Sequence, residues 1–191
     1  MAIKFLAPAA FTGLLLSAVV SAAPAAAQGS QPQAGLAADS TFIQTAGSFG
    51  LLQVKLGQMA EKKASSPAVR DFGKRMVDEY GKANEELAAG AKQAAFPAPA
   101  IVRQHKQLLD RFSTMGGGSF DKNYMAEMVR QHDQAAQLFK QEAESGRVAS
   151  LKQLASNMLQ MVQQHLSLAT QTAGTVGADV TATASQGRKG S

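Results

Sequence analysis

The chain has 191 residues, with 19 lysines and arginines against 14 aspartates and glutamates, three histidines, no cysteine and no tryptophan. The lack of cysteine excludes a disulfide-stabilised scaffold and thiolate metal sites, so stability must come from packing or from a bound ligand. The formal net charge of +5 comes without a basic block interleaved with aromatic residues, which argues against nucleic-acid binding.

The first residues follow the three-part pattern of a secretory signal peptide. A basic start at residues 1–4 precedes an apolar run at 5–20, and alanines at 25–27 supply small residues for cleavage. A proline and a glycine interrupt the apolar run, which weakens the alternative interpretation as a retained membrane anchor. We therefore predict a signal peptide over residues 1–27, export to the periplasm or cell envelope, and no transmembrane span in the mature chain.

Small and polar residues dominate positions 28–39, and we predict that this lead is disordered. From Ser40 onward, residues that suit the buried face of a helix recur at alternating steps of four and three positions, which is the period of one helix face. This stripe predicts helix one, ending near Lys63. Its members are Phe42, Ala46, Phe49, Gln53, Leu56 and Ala60.

Ser66 and Pro67 are typical of a helix start, with serine as the cap and proline at the first helical position. The same rhythm then continues to Gly90 and predicts helix two, joined to helix one by a short turn. Its stripe consists of Val69, Gly73, Met76, Tyr80, Ala83 and Leu87.

Residues 90–100 carry glycine and two prolines, which exclude a continuous helix. A short amphipathic helix is predicted at 101–112, before three glycines at 116–118 break the chain again. His105 lies in this short helix, and we expect it to have no special role.

Ser119 precedes helix three, and residues 145–147 form the turn to helix four. Both helices carry the pattern Met-x-x-Met-x-x-x-His, whose spacing keeps the three side chains on one face. Beyond these helices, glycine, alanine, serine and threonine dominate, so we predict a disordered tail at 174–191. The two sets are Met125, Met128 and His132, followed by Met158, Met161 and His165, within stripes that also include Ala135, Phe139, Leu151, Leu154 and Leu168.

Two tight helical hairpins joined by a crossover of roughly thirty residues are typical of the ferritin-like four-helix bundle. A crossover of this length can return along the bundle, so helices two and three would run parallel. We therefore predict an all-α fold, with one ferritin-like domain at residues 40–173.

Each helical stripe carries one polar side chain near its middle, and these four residues define a predicted polar core layer: Gln53, Tyr80, His132 and His165. Counting outward from the second turn places His132 level with Met161, and Met128 level with His165. Thioether and imidazole ligands suit Cu(I), so these four residues are the candidate metal set. The structural alternative, which we favour, is that the methionines fill the core and that the histidines hydrogen-bond to Tyr80, Gln53 or Gln131.

Several short segments also suggest a relationship to known proteins: KKASSPAV at 62–69, MVDEY at 76–80, KAN at 82–84, FDKNYM at 120–125, MV at 128–129 with His132, and HL at 165–166. In these segments the chain resembles a widespread bacterial family of secreted ferritin-like proteins of unknown function, whose older label is predicted outer membrane protein. The likeness covers residues 41–173. It implies a four-helix bundle in the periplasm or envelope and no established reaction.

The resemblance also implies a loss of ligands, because members of that family typically carry a glutamate where Gln53 stands and an acidic-His pair where Glu79 and Tyr80 stand. Amide and phenol groups are weaker metal ligands than carboxylate and imidazole. A di-iron centre would further need Glu-x-x-His on two helices, whereas Val129 and Val162 stand three residues before the histidines.

Catalytic signatures are missing from the sequence. Neither core histidine has an acidic partner at an obvious spacing, and no nucleophile elbow or phosphate-binding loop occurs. We therefore predict a non-catalytic envelope protein with a stress-related role, acting through its surface or through an unknown envelope partner. The alternatives are a copper-binding protein that uses His132, His165, Met128 and Met161 and, more distantly, a ferritin-like redox enzyme.

Overall fold

The computed structural model describes residues 30–181, so the predicted signal peptide lies outside the described range. These residues form helices and connecting segments without a strand, which confirms the all-helical prediction. No helix within the described range combines the length and apolarity that crossing a membrane requires. The five helices are α1 (Ser30–Lys63), α2 (Pro67–Gln93), α3 (Arg103–Ser113), α4 (Gly117–Ser145) and α5 (Ala149–Val176).

Two helical hairpins form the body of the bundle. α1 packs against α2 and α4 packs against α5, while α1 contacts α4 and α2 contacts α5 between the hairpins. The short helix α3 lies against α1. The architecture is therefore a helical bundle with an additional helix in the long connection.

The connection between the hairpins runs in the same direction as α1. Near its start, Gln44 Nε2 donates a hydrogen bond to the Pro97 carbonyl at 2.9 Å. Near its end, Lys63 Nζ donates to the Ser113 carbonyl at 2.6 Å. Because the chain follows α1 from one end to the other, α4 begins at the end of the bundle where α2 begins, and α2 and α4 run parallel.

The start of α2 is capped by a residue from the other hairpin. Ser66 is the N-cap residue and Pro67 follows it, as predicted, but the serine hydroxyl makes no capping hydrogen bond. Instead, the buried carboxylate of Asp121 on α4 accepts hydrogen bonds from the backbone amides of Ser65 at 3.1 Å and Ser66 at 2.8 Å. The cap is thus a tertiary contact between hairpins.

The opposite end of the bundle has a matching cap. Asp39 on α1 is fully buried, and its carboxylate accepts hydrogen bonds from the amides of Arg147 at 3.0 Å and Val148 at 2.7 Å, just before α5. Gly35 also lies against the Arg147 side chain. These contacts hold the first part of α1 against the second hairpin, and α1 begins at Ser30 rather than near Ser40. The segment predicted as a disordered lead is therefore helical over residues 30–39, and residues 28 and 29 lie outside the described range.

Three other boundaries differ slightly from the predicted ones. α2 continues to Gln93 rather than ending at Gly90, and α4 starts at Gly117 before Ser119. α5 reaches Val176, and two residues beyond it, Ala178 and Val180, pack partly buried on the core. The predicted tail therefore begins in ordered structure, and residues 182–191 lie outside the described range.

The predicted stripes of α1, α2 and α4 are buried, as their spacing indicates. In α5, Leu151, Met158 and His165 of the predicted stripe are buried, but the other half of the buried face is shifted by one position, to Ala155, Val162 and Ala169. Their predicted counterparts Leu154, Met161 and Leu168 are only half-buried. The shift moves one predicted metal ligand, Met161, to the edge of the core.

The backbones of α1 and α2 approach closely at two glycines. A Cβ atom added at Gly73 would lie 2.6 Å from the Ala60 Cβ and 2.8 Å from the Gly57 carbonyl oxygen. A Cβ atom at Gly57 would lie 2.5 Å from the Gly73 carbonyl oxygen. Small side chains are therefore required where the first hairpin packs most tightly.

Candidate functional site

Three polar rings from three helices meet inside the bundle and form what we term the core ring cluster: Tyr80, His132 and His165. The ring centroids of the two histidines are 5.5 Å apart, and Tyr80 lies 5.9 Å from His132 and 5.3 Å from His165. All three side chains are buried. The structure thus brings together three of the four residues of the predicted polar layer.

Helix α1 contributes an apolar ring to the cluster. Phe49 packs edge-on against Tyr80 at 5.3 Å and against His132 at 5.5 Å. Gln53, one turn further along the same face, is fully buried, and neither of its amide atoms has a hydrogen-bond partner among the described residues. Phe49 belongs to the predicted stripe, but its contact with the cluster could not be read from its spacing alone.

His132 is held by its own helix. Its Nδ1 lies 2.8 Å from the Met128 carbonyl oxygen, and because a carbonyl only accepts, the ring proton sits on Nδ1. The predicted partners Tyr80, Gln53 and Gln131 are not used. The opposite nitrogen, Nε2, is buried without a partner in the described residues.

Burial keeps the His132 ring uncharged. Desolvation lowers the pKa of His132 to about 3; the hydrogen bond to Met128 opposes this shift, and the neighbouring His165 adds to it. The ring is therefore a neutral imidazole with one free lone pair across the physiological pH range.

His165 is held by a residue that the sequence analysis did not identify. Its Nε2 donates a hydrogen bond to Glu79 Oε2 of α2 at 2.7 Å. Glu79 lies 86 residues away in sequence, so it is not an acidic partner at an obvious spacing. Burial lowers the pKa of His165, and the hydrogen bond and charge of Glu79 oppose that shift. The second ring nitrogen, Nδ1, is buried without a partner in the described residues.

The two histidines therefore share an arrangement that is common among metal ligands. A metal-binding histidine usually donates one ring N–H to a carboxylate or a backbone carbonyl and coordinates through the other nitrogen. Glu79 and the Met128 carbonyl supply those two acceptors here. The arrangement fixes the protonation of both rings and leaves one lone pair on each.

The remaining polar group of the cluster is the Tyr80 hydroxyl, which is uncharged. Burial raises the pKa of Tyr80 well above its ordinary value, so its hydroxyl stays protonated, and it too has no partner in the described residues. No group of three or more histidine, cysteine, aspartate or glutamate residues that could hold a metal occurs within residues 30–181. A metal at this position would thus rest on two imidazoles and on uncharged donors.

The predicted methionine ligands occupy different environments. Met128 is fully buried and contributes its carbonyl to His132. Met161 is half-buried and lines a surface hollow of about 240 Å³ together with Met158 and Glu79. The predicted level pairing of each histidine with a methionine of the facing helix stays a prediction.

The third histidine has a structural role instead. The Ser48 hydroxyl oxygen lies within hydrogen-bond distance of His105 Nδ1, at 2.7 Å, and accepts a hydrogen bond from the Val102 amide at 2.9 Å. These bonds pin α3 to α1, which corrects the expectation of no special role for His105. Ser48 is fully buried, so this Ser-His pair is not accessible for nucleophilic chemistry.

Comparison with known proteins supports the fold and provides a family. A family model described as a domain of unknown function, DUF4142, matches residues 22–172. The crystal structure of a DUF305 protein from Streptomyces coelicolor, presumed to be secreted, matches with a TM-score of 0.63 at 15% sequence identity. The match covers 74% of this chain and 95% of that chain, and it bears on the fold alone. No curated protein is significantly similar to this sequence.

Proposed function

Because the chain belongs to the DUF4142 family, whose function is unknown, we propose a function from its own core: it is a non-catalytic extracytoplasmic protein that binds one copper(I) ion between His132 and His165. The signal-peptide pattern and the presumed secretion of the DUF305 protein support the location. The parallel course of α2 and α4 supports a ferritin-like arrangement of the four long helices.

One observation carries the copper proposal: two neutral imidazoles, adjacent in a buried layer, each keep a ring nitrogen without a partner in the described residues. A buried acceptor left without a partner costs about 1–3 kcal/mol. Both rings are nevertheless held by a hydrogen bond at their other nitrogen, as ligands are. A single cation bound by both lone pairs would remove both penalties at once.

Copper(I) fits this donor set better than harder ions do. Imidazole ligands suit copper and other late transition metals, whereas calcium and magnesium require many oxygen ligands. Ring centroids 5.5 Å apart leave room for two metal–nitrogen bonds of about 2 Å each. The absence of carboxylates from the cluster itself also favours a monovalent ion, whose charge is less costly to bury.

Ordered water is the second candidate occupant, and a specific observation favours it. The Tyr80 hydroxyl and the Gln53 amide include hydrogen-bond donors without partners, which a metal cation would not satisfy. A buried water could bridge the Tyr80 hydroxyl to the imidazole nitrogens, and another could bind the Gln53 amide. In that case the layer is structural, and the protein acts through its surface.

A copper(I) titration distinguishes the two occupants. The purified protein competes with a chromophoric copper(I) chelator under anaerobic reducing conditions. We expect one ion per chain, with affinity falling roughly 100-fold in His132→Phe and in His165→Phe, because each change removes one of two ligands. His105→Asn is the matched control and should bind as the wild type does. Affinity that is micromolar or weaker, and equal in all four proteins, would overturn the copper proposal.

The supporting carboxylate offers a finer test. Glu79→Gln keeps an acceptor for His165 but removes its charge, and loss of such a supporting contact typically lowers metal affinity by about 10–100-fold. Affinity unchanged by this substitution would show that the charge of Glu79 does not support a metal at His165.

A further inference from the structure

A surface groove lies between α1 and α3, and none of the residues that line it belongs to the buried core ring cluster. α3 is tied to α1 near one end through Ser48, which binds Val102 and His105, and near the other end through Lys63, which binds the Ser113 carbonyl. Between these ties the two helices enclose a cavity of about 640 Å³, open to the surface, which we term the α1–α3 groove.

The floor of the groove is apolar. Met59 of α1, Leu109 of α3 and Ile101 from the segment before α3 line it, and all three are half-buried rather than packed into the core. Their remaining exposed surface is therefore available to an apolar ligand.

The rim of the groove is cationic. Lys55, Lys62 and Lys106 line it and are exposed, and none of them forms an ion pair with a carboxylate of the described residues. Asp110 is the one acidic residue among those lining it. Three uncompensated ammonium groups thus surround an apolar floor.

We infer that the α1–α3 groove binds a single-chain anionic amphiphile, such as a fatty-acid carboxylate. The groove lies within the range of about 300–1,000 Å³ that is common for small-molecule sites. The apolar floor removes the alkyl chain from water, and the methylene stems of the lysines extend that wall. The ammonium groups at the rim attract the anionic head. This inference is independent of the copper proposal, because the two sites share no residue.

This arrangement predicts that the anionic head and the alkyl chain of the ligand both contribute to binding. Ligands that lack one of the two features therefore test the inference. Isothermal titration of the purified protein uses dodecanoate, kept below its aggregation concentration. We expect one site per chain. Butyrate, which has the same head without the chain, and dodecyltrimethylammonium, which has the same chain with a cationic head, should each bind at least about tenfold more weakly. Equal binding of all three ligands, or many weak sites for dodecanoate, would overturn the inference.

Rim and floor substitutions locate the site. The combined change Lys55→Gln, Lys62→Gln and Lys106→Gln should weaken dodecanoate binding at least about fivefold. These side chains are exposed, so the circular dichroism melt should be unchanged. Leu109→Ser should weaken dodecanoate and leave the weak binding of butyrate as it was.

A matched control removes the same charge elsewhere. Lys82, Lys92 and Lys122 are also exposed but do not line the groove, and replacing all three with Gln should leave dodecanoate affinity at the wild-type value. Equal loss in the two triple variants would show a general charge effect and overturn the inference. Adsorption to vesicles containing anionic phospholipid, without binding of monomeric dodecanoate, would do so as well.

Discussion

Acidification should destabilise the fold through His132, and a comparison with His132→Leu isolates that effect. Burial holds the pKa of the folded ring at about 3, whereas an unfolded histidine titrates near 6.5. The unfolded state therefore takes up the proton first as the pH falls. The contribution of the neutral His132 ring to the free energy of unfolding is fully present above about pH 6.5. It is lost progressively as the pH falls from there to about pH 3.

The size of the loss follows from the two pKa values. About pH 5 lies roughly 1.5 units below the unfolded pKa, and each unit corresponds to about 1.4 kcal/mol, so the free energy of unfolding should fall by about 2 kcal/mol. The folded pKa of about 3 hardly affects this figure, because the folded ring is still neutral at about pH 5.

Urea unfolding followed by helical circular dichroism measures this loss. Wild type and His132→Leu are each unfolded at about pH 7.5 and about pH 5, and we expect the wild type to lose about 2 kcal/mol more than the variant. Leucine has a similar volume and cannot titrate, so it removes the proton uptake and keeps the packing.

Three other groups whose shifted pKa values bear on this pH range, His105, His165 and Glu142, remain in both proteins and cancel to first order. Burial lowers the pKa of His165 and of His105, which adds a loss of the same sign on acidification. Burial, followed by the Asp39 carboxylate, raises the pKa of Glu142 to about 7, which stabilises the fold as the pH falls through that value. Parallel losses in wild type and His132→Leu would refute the reasoning, because they would show that the ring is hydrated or takes up a proton in the folded state.

The caps and the glycine contact give further predictions, each checked by urea unfolding at neutral pH. Asp39→Ala should lower the free energy of unfolding by about 2–3 kcal/mol, because two amides lose a charged acceptor; a loss below about 0.5 kcal/mol would contradict the described cap. Asp121→Ala should have a similar effect through Ser65 and Ser66. Gly73→Ala should destabilise by about 1–3 kcal/mol through overpacking. Gly81→Ala, where an added Cβ meets no atom within 4 Å, should stabilise by about 0.5–1 kcal/mol. Equal effects at the two glycines would disprove the close approach of α1 and α2.

Local periodicity predicted the helices and three of the four buried stripes, because each has a single apolar face. In α5 it predicted only half of the buried face, because Leu154 and Ala155 are adjacent and apolar, as are Met161 and Val162. Two neighbouring stripes then satisfy the same period, and packing against the other helices decides which one is buried.

Counting from the turn indicated that His132 and His165 lie at nearby levels, because a short turn fixes the register of a hairpin. It could not identify Glu79, which lies 86 residues from His165 and on the other hairpin. The start of α1 at Ser30 was missed for the same reason. Asp39 accepts hydrogen bonds from amides that lie 108 and 109 residues away in sequence. No local sequence pattern indicates such a contact.

The reciprocal placement of the two buried aspartates bears on how the chain folds. Asp121 of the second hairpin caps the helix start in the first, and Asp39 of the first hairpin caps the helix start in the second. Each hairpin in isolation would therefore lack an acceptor at its own turn and expose a carboxylate that has nothing to bind. Docking of the two halves completes both caps together, so we expect the hairpins to gain and lose their structure as one cooperative unit.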